Sequence, residues 1–268
     1  MDQLSDTLDR GGVRVAWTGP AGEPVVTVTL DRPATRNAQV PATWRALSAV
    51  GENLPEGTRV VVLGSGGPVF SSGIDLRTFT PDGVDGESVL APFQGLDDAA
   101  AADLIVGFQQ GFSWWHDRDD VISVAAVQGA AVGAGFQLAL ACDLRVCSDA
   151  ARFAVRETSL GLVPDLTGTY PLVRAVGYAR ALELCATGRW VGAEEALRLG
   201  IATTVVPLDD LPAATAELVA GLIAAPEASL RATKAVLRAA LSADGAVDQR
   251  RNEREAQIPL LRRLAASL

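Results

Sequence analysis

The sequence has few of the side chains on which many catalytic and metal sites depend. Its 268 residues include one histidine, one lysine and three cysteines. A single histidine, His116, excludes a metal site built on paired histidines and disfavours a Ser-His-Asp triad. Cys142, Cys147 and Cys185 lack metal-ligand spacing, and their odd number argues against a disulfide framework. We therefore expect reduced thiols, no bound metal and no separate cofactor.

Long apolar runs and excess positive charge are also missing. No run approaches the roughly 18 apolar residues that a membrane-spanning helix requires. Met1 is followed by polar residues, with no basic-then-apolar segment typical of a secretory signal. The net charge of −9 disfavours nucleic acid or an anionic membrane surface as a partner. These absences predict a soluble cytoplasmic protein without nucleic-acid or membrane partners.

What the sequence does contain is a large core and a mixture of strand and helix patterns. Hydrophobic residues make up 49% of the chain, which is enough for one large domain with a small appendage. Apolar runs at 59–64 and 121–127 are typical of strands buried on both faces. Repeated strand–strand–helix units indicate a spiral of turns within an α/β fold. After residues 207–211 the chain becomes Ala-rich with helical periodicity, at 211–224, 228–242 and 248–268. Further patterns predict a hairpin of 13–17 with 25–30, strands 144–147 and 201–206, and helices 41–53, 104–115, 136–141, 169–176, 179–187 and 188–200.

Residues 124–168 have the pattern of a functional site. An apolar run ends at Gly129, and a loop of small residues, 130–135, leads into the predicted helix 136–141. Small residues at a strand-to-helix junction let a ligand approach the backbone N–H groups at the helix N-terminus, which suit an anion or a developing oxyanion. Glu157 and Asp165 follow among apolar neighbours. Apolar surroundings raise the pKa of a carboxyl group, which makes it usable for proton transfer near neutral pH.

At these residues the sequence resembles the crotonase family, the enoyl-CoA hydratases and isomerases. The likeness covers roughly residues 10–265 and implies an acyl-CoA substrate. It also implies a crotonase-like ββα spiral core over residues 1–206 and a helical region, 207–268, that builds a homotrimer or a dimer of trimers. The family patterns N/Q-G-x-x-x-G-x-G-x-E/D-L-x-x-x-C-D and F-x-x-x-E-x-x-x-G-x-x-P are matched by Gln128, Gly129, Gly133, Ala134, Gly135, Gln137, Leu138, Cys142, Asp143, Phe153, Glu157, Gly161 and Pro164.

The resemblance also implies how the thioester is held. In the family, two backbone N–H groups form the oxyanion hole, and their positions match Ile74 and Ala134. Because the donors are backbone groups, alanine can replace the usual glycine at position 134. Segments 30–38 and 69–77 resemble the family's L-x-R-P-x-x-x-N-A and F-x-x-G-x-D-L/I loops. The implied contacts to the coenzyme A part of the substrate are Arg32, Arg36, Ala38, Ser72, Gly73, Asp75, Arg77 and Gly133.

Simpler roles are open for two of these features. The 30–38 segment is also consistent with a solvated turn. Asp75 has the position of an N-cap for the turn that follows it. An acidic chain requires local arginines such as Arg32, Arg36 and Arg77 if it is to hold a polyphosphate group.

The catalytic pair of the family's hydratases is incomplete here. Two glutamates handle protons in those enzymes; the second matches Glu157, but the first matches Gln137. An amide does not exchange a proton at physiological pH, so this change costs a two-carboxylate hydratase about 10²–10⁴-fold. Asp165, eight positions after Glu157, resembles an acidic residue of the dienoyl-CoA isomerases, which however carry an aspartate where this chain has Gln137. Some monofunctional isomerases of the family use a single glutamate at the Glu157 position.

Three functions therefore stay open at this point: an isomerase that uses Glu157 with or without Asp165, a hydratase in which Gln137 orients water, and a non-catalytic acyl-CoA-binding protein. Structural roles are also open for the same residues. Glu157 is next to Arg156, so the two side chains are also consistent with a surface ion pair. Asp165 is also consistent with an N-cap of a helix near Thr167, and Gln137 is also consistent with a hydrogen bond to the backbone. A Rossmann site is disfavoured because 133–135 lacks the third glycine at the required spacing.

Overall fold

A mostly parallel six-stranded sheet carries the core. The computed structural model describes residues 2–19 and 22–239, together with residues 254, 257, 258, 261, 262, 265 and 266. The strands of the described part are, in chain order, β1 (Val13–Ala16), β2 (Val25–Leu30), β3 (Val60–Ser65), β4 (Ile122–Val127), β5 (Ala130–Val132), β6 (Leu144–Ser148), β7 (Arg152–Ala154), β8 (Val191–Gly192) and β9 (Thr204–Val206). The large sheet has the order β1-β2-β3-β4-β6-β9, antiparallel between β1 and β2 and parallel elsewhere. Of its central strands, β4 is buried at five of its six residues and β3 at three of six, with the others half-buried, which explains their largely apolar sequences.

A second, three-stranded sheet brings distant loops together beside the first. β5 pairs parallel with β7, which pairs antiparallel with β8. Isolated bridges add two further segments, because Ser71 pairs with Ala131 and Gln39 pairs with Ile74. The loops around residues 39, 71–75, 130–134 and 152–157 therefore meet at one place in the fold.

Helices cover the sheets and agree in most places with the sequence patterns. In chain order they are α1 (Asp2–Gly11), α2 (Pro41–Glu52), α3 (Asp98–Asp117), α4 (Ala134–Ala141), α5 (Thr169–Val176), α6 (Tyr178–Thr187), α7 (Ala193–Arg198), α8 (Leu211–Ala224) and α9 (Glu227–Ala239). The α/β class, the hairpin of β1 with β2 and the helix over 211–224 are confirmed.

Three local predictions were wrong. The helix expected over 104–115 begins at Asp98, because the Asp97 side chain accepts a hydrogen bond from the Ala100 N–H and caps it earlier. Residues 188–192 are not helical, since Val191 pairs with β7 and α7 begins only at Ala193. The loop expected over 130–135 contains β5.

The described C-terminal residues pack on their own chain. Beyond Ala239, helical backbone is described at residues 254, 257, 258, 261, 262 and 265. Most other residues of the helices expected over 228–242 and 248–268 lie, beyond Ala239, outside the described part of the chain. Ile258, Leu261 and Ala265 form one apolar cluster with Leu162 and Ile105. The division of the chain at residues 206 and 207 and a role of the C-terminal region in a trimer stay predictions.

A buried ion pair attaches α9 to the main sheet. Lys234 is 6% exposed. Its Nζ donates to the Val121 carbonyl at 2.8 Å and to Asp143 Oδ2 at 2.7 Å. Burial opposes ionisation of Asp143, but hydrogen bonds from His116 and Lys234 hold the pKa of its carboxyl below the ordinary value. Removing one partner of such a pair costs about 3–5 kcal/mol, because the other charge is then left buried without compensation.

None of the described helices has by itself the length and hydropathy to cross a membrane. Leu208–Ala224 and Glu227–Ala235 meet that test only as a pair, across a bend of 102°.

Candidate active site

A cavity of about 300 Å³ opens where the loops around residues 71–75, 130–134 and 152–157 meet. Trp44, Phe79, Val89 and Phe108 give it an apolar wall, while the polar residues at its surface include Gln137, Glu157, Asp165 and Gln257. Periodicity placed Trp44 on the buried face of its helix, but no sequence signal placed it at a cavity. The predicted residues Ser72, Gly73, Ile74, Gly133, Ala134, Gln137, Glu157 and Asp165 all line this one cavity.

The two predicted oxyanion donors face the cavity for identifiable backbone reasons. Gln39 N donates to Gly73 O at 2.7 Å and Asp75 N donates to Gln39 O at 2.8 Å, so the Ile74 N–H points to the opposite side of this extended segment. Ala134 is the first residue of α4, and its N–H therefore has no partner within the helix. Both residues line the cavity, and the role of their amides as an oxyanion hole stays a prediction.

Close backbone packing explains the glycines beside these donors. Gly73 has φ +91°, and a methyl group on it would lie 2.7 Å from the Val132 carbonyl oxygen and 3.7 Å from the Ala134 nitrogen. Gly133 has φ +49°, and a methyl group on it would lie 3.3 Å from Glu157 Oε1. A side chain at either position would disturb the donors or the carboxylate.

Buried polar contacts support the loop that carries Ile74. Gln39 is fully buried; its Oε1 accepts from Trp44 Nε1 at 2.9 Å and its Nε2 donates to Ser71 Oγ at 3.2 Å. Ser71 Oγ in turn accepts from Gly73 N at 3.2 Å. This network joins the apolar wall at Trp44 to the oxyanion loop. The sequence analysis missed it, because its members are up to 34 positions apart, as between Ser71 and the Asn37 carbonyl that it also contacts.

Glu157 is a buried carboxylate, 9% exposed, in the short 3₁₀ turn Glu157–Leu160. Its Oε1 accepts from Gln137 Nε2 at 2.6 Å and its Oε2 accepts from Arg156 N at 2.8 Å. Burial raises the pKa of Glu157 and outweighs these two hydrogen bonds, which act in the opposite direction. The hypothesis of a surface ion pair with Arg156 is wrong: the Arg156 guanidinium lies 5.7 Å from the centre of the Trp190 ring.

Gln137 is held in a single orientation by backbone groups. Its Oε1 accepts from Leu166 N at 2.9 Å and from Gly168 N at 3.2 Å, which confirms the predicted contact with the backbone. The amide NH₂ group must then face Glu157, because the oxygen is already engaged by donors. Gln137 therefore presents a hydrogen-bond donor, and no proton-exchanging group, to the catalytic candidate.

Asp165 lies at the cavity surface and is 9% exposed. α5 begins at Thr169 with Gly168 at its N-cap position, and a capping role of Asp165 near Thr167 stays a prediction. The Asp165 backbone carbonyl accepts from Gln109 Nε2 at 2.6 Å, which fixes the main chain at this point. Among the described residues, no group of three or more His, Cys, Asp or Glu side chains is arranged to hold a metal ion.

Comparison with known proteins decides the family. Residues 21–262 match the family model described as enoyl-CoA hydratase/isomerase. The chain belongs to the enoyl-CoA hydratase/isomerase family. This membership confirms the crotonase resemblance and identifies the protein as an acyl-CoA enzyme of the hydratase, dehydratase or isomerase type.

Relatives within the enoyl-CoA hydratase/isomerase family carry out different reactions. The chain is 36% identical over 219 residues to the carnitinyl-CoA dehydratase of Salmonella typhi, covering 81% of this chain and 77% of that protein. It is 45% identical, with a TM-score of 0.83 and 98% of both chains covered, to a Thermobifida fusca protein provisionally assigned as an enoyl-CoA hydratase and crystallised with acetoacetyl-CoA. It is 29% identical, with a TM-score of 0.66 and coverage of 87% of this chain and 95% of the other, to a monofunctional enoyl-CoA isomerase from M. smegmatis. Membership alone therefore leaves the reaction open.

Of the residues expected to contact coenzyme A, all but Gly133 lie on two adjoining loops, 30–38 and 69–77, and Gly133 lies between β5 and α4. Ser72 N donates to the Arg36 carbonyl at 3.0 Å, so the 33–36 turn adjoins the cavity edge. Arg36 is exposed, whereas Arg32 Nη1 donates to the Ala38 carbonyl at 2.7 Å and is engaged within its own loop. Arg36 is therefore free to reach a ligand at the cavity edge, whereas Arg32 is held by its own loop; a contact of either residue with coenzyme A stays a prediction.

Asp75 and Arg77 form a pair on the second loop. Asp75 accepts from Arg77 N and caps the 3₁₀ turn Leu76–Phe79, as the simpler hypothesis predicted. Arg77 Nη2 lies 2.6 Å from Asp75 Oδ2, and its side chain is 63% exposed. The hydrogen bond from Arg77 lowers the pKa of Asp75 although burial opposes it. Asp75 therefore stays ionised and orients the Arg77 guanidinium at the surface.

Burial of Glu157 in this family site has a consequence for stability. Its pKa is raised above 4.5, so the folded state retains a proton at pH values where the unfolded chain has lost it. We expect the free energy of unfolding of the wild type to fall, relative to Glu157→Gln, as pH rises from about 4.5 through the raised pKa. Denaturant titrations of both proteins across pH would measure this difference. A difference that does not vary with pH would contradict it.

Proposed function

We propose that the protein isomerises the double bond of an enoyl-CoA, with Glu157 as the group that removes and returns the proton. The observation that carries this proposal is the contact between Glu157 and Gln137 at 2.6 Å, where hydratases of the family have a second carboxylate. Proton transfer between two carbons of one substrate needs only one base that then acts as an acid.

The steps balance with this single carboxylate. The Glu157 carboxylate takes a proton from C2 of a 3-enoyl thioester, and the electron pair left on carbon delocalises onto the thioester oxygen as a dienolate. The Ile74 and Ala134 N–H groups donate to that oxygen. The protonated Glu157 then delivers the proton to C4, which gives the 2-enoyl thioester. Fixed donors at the developing charge are a major source of rate enhancement in such reactions.

Gln137 serves in this mechanism by orienting Glu157. Its donor bond to Oε1 lowers the pKa of Glu157, while burial raises it and prevails. The opposing influences favour a carboxyl group that can both accept and release a proton near neutral pH. Asp165 lines the same cavity and is a candidate second proton carrier for dienoyl substrates.

Hydration or dehydration is the second candidate reaction. It is favoured by the 36% identity to carnitinyl-CoA dehydratase. In that case Glu157 would do all of the proton work, and the second hydrogen of the Gln137 amide would hold the water. A non-catalytic binder is disfavoured, because a buried carboxylate beside two backbone donors has no use in holding a thioester alone.

Spectrophotometry with purified protein separates these functions. The substrates are 3-enoyl-CoA, 2-enoyl-CoA and 2,4-dienoyl-CoA, whose conversions change absorbance differently. We expect turnover of the 3-enoyl thioester to exceed hydration of the 2-enoyl thioester. Faster hydration would overturn the isomerase in favour of the hydratase, and absence of any turnover despite CoA binding would support the binder.

Arg77 provides a test of the coenzyme A contacts. We expect Arg77→Ala to weaken binding of the CoA thioester several-fold, by an amount that shrinks as salt is added, because the guanidinium is exposed and its attraction to phosphate is screened. Calorimetry at two ionic strengths would measure it.

Arg198→Ala is the matched control for that experiment. Arg198 is 61% exposed and lies 2.6 Å from Glu194, the same separation as between Arg77 and Asp75, although Glu194 is exposed and Asp75 is buried. Arg198 is on α7, none of whose residues lines the cavity. Equal affinities of both variants and wild type would remove Arg77 from the site.

A further inference from the structure

The segment between Glu157 and α5 has little regular structure of its own. After the turn Glu157–Leu160 the chain runs to Thr169 without a helix or strand, and both Gly161 and Thr167 have positive φ. Its backbone polar groups therefore need partners from elsewhere, because buried N–H and C=O groups are rarely left unpaired. The same segment carries Asp165 and follows directly on Glu157.

Glutamine side chains from three different parts of the chain supply those partners. Gln137 Oε1 accepts from Leu166 N and Gly168 N. Gln109, on α3, donates through Nε2 to the Asp165 carbonyl at 2.6 Å. Gln257, from the C-terminal region, accepts through Oε1 from Val163 N at 3.0 Å. These three glutamines are 3%, 2% and 3% exposed, respectively.

The C-terminal region takes part in two of these contacts. Besides Gln257, Arg254 Nη1 donates to Gln109 Oε1 at 3.1 Å and thereby fixes which way the Gln109 amide faces. Leu261 and Gln257 also line the cavity. Apolar packing of Leu261 against Leu162 alone would allow several positions of these C-terminal residues relative to segment 161–168. The hydrogen bonds of Gln257 and Arg254 specify one position.

We propose that Gln109 and Gln257 are positioning residues that set the carboxylates of Glu157 and Asp165 in the cavity, so that the C-terminal region completes the active site of its own chain. This inference rests on the proposed function of Glu157. Neither glutamine touches the reacting atoms; each acts through the backbone of segment 161–168. A misplacement of about 1 Å in such a site costs up to about 10²-fold in rate.

The two glutamines use opposite groups of the side-chain amide, since Gln257 accepts a hydrogen bond from Val163 N–H and Gln109 donates one to the Asp165 carbonyl. Substitution by glutamate therefore affects the two contacts differently, and this difference gives the test. Gln257 is needed as an acceptor, so Gln257→Glu keeps the contact to Val163 N–H while Gln257→Met, of similar size, removes it. Gln109 is needed as a donor toward Asp165 O, so Gln109→Glu removes the contact although it still accepts from Arg254. The same change to glutamate should therefore impair function less at 257 than at 109.

Steady-state kinetics on the substrate that the wild type turns over is the first readout. We expect kcat of Gln257→Met to fall by about 10-fold or more with KM close to wild type, and Gln257→Glu, which keeps the contact but adds a carboxylate at the cavity, to lose clearly less kcat than Gln257→Met. Gln109→Glu should lose kcat as Gln257→Met does. Equal kcat values for Gln257→Met and wild type, or equal losses in Gln257→Met and Gln257→Glu, would overturn the proposal.

Hydrogen exchange measured by mass spectrometry is the second readout, and it does not depend on turnover. Deuterium uptake of peptides covering 157–168 should increase in Gln257→Met and stay at the wild-type level in Gln257→Glu. Unchanged uptake in Gln257→Met would overturn the positioning role even if the wild type proved inactive on all three thioesters, an outcome that by itself would overturn only the proposed reaction.

Discussion

Glu157→Gln is expected to reduce isomerisation of an enoyl-CoA by about 10²–10⁴-fold, the usual contribution of a general acid–base group. In the proposed mechanism the thioester is held by the backbone donors at Ile74 and Ala134 and by contacts at the cavity edge, none of which involves the Glu157 side chain. KM should therefore change little. Steady-state kinetics on wild type and variant would measure the changes in kcat and KM separately, with the thermal midpoint as a check on folding.

The local hydrogen bonds require a specific check on this variant. Glu157 accepts from two N–H donors, those of Gln137 and Arg156, whereas a glutamine offers only one oxygen to them. A small rearrangement is therefore expected and should be visible in the thermal midpoint. Turnover of Glu157→Gln at the wild-type level would remove Glu157 from the reaction.

Glu194→Gln is the control for the same chemical change at an exposed position. The Glu194 side chain is 89% exposed and pairs with Arg198 on the neighbouring turn of α7. We expect its kinetics to match wild type. Asp165→Asn tests the other carboxylate of the cavity, and a loss confined to dienoyl substrates would assign Asp165 to them.

Gln137→Glu is expected to create a carboxylate pair that shares a proton. One oxygen of the new carboxylate would accept from Leu166 N and Gly168 N as the amide oxygen does now. The other would replace the NH₂ group that lies 2.6 Å from Glu157 Oε1. Two carboxylates at that separation do not both ionise easily, so the pair should hold one proton over a wide pH range.

The expected gain is in hydration of 2-enoyl-CoA. A shared proton supplies both an acid and a base, so hydration should rise above that of the wild type and recover part of the 10²–10⁴-fold that one such group contributes. The pH optimum should move upward, because the pair ionises fully only at higher pH. Absorbance assays of 2-enoyl-CoA hydration across a range of pH would measure both the rate and the pH optimum.

Gln137→Met separates the loss of the amide from the gain of a carboxylate. It removes the bonds to Leu166 and Gly168 and adds no proton-handling group. Hydration that is the same in Gln137→Glu, Gln137→Met and wild type would contradict the expected carboxylate pair.

The sequence was informative where local patterns determine structure. The spacing of Trp44, Leu47 and Val50 predicted α2, and the apolar runs predicted β3 and β4, because burial of a helix face or of both sheet faces leaves a regular pattern. Short elements such as β7 and β8 were not found, since two or three residues contain no period. The mostly polar α1 was missed for a related reason, as its ten residues bury few side chains.

The site was predictable as a set of residues but not as a set of contacts. The family pattern brought Gln137 and Glu157 together as candidates, although no local signal states that one donates to the other. Gln109 and Gln257 carry no motif at all. Their partners Asp165 and Val163 are 56 and 94 positions away, and only the folded chain shows that they serve the same segment.

The attachment of α9 through Lys234 has a chemical consequence. Lys234 is the single lysine of the chain, and its amine is engaged by Asp143 and the Val121 carbonyl beneath the surface. Reagents that acylate amines consequently find no exposed lysine side chain on the native fold. Modification of Lys234 requires α9 to separate from the sheet, so the rate at which this one residue is labelled reports how often that helix detaches.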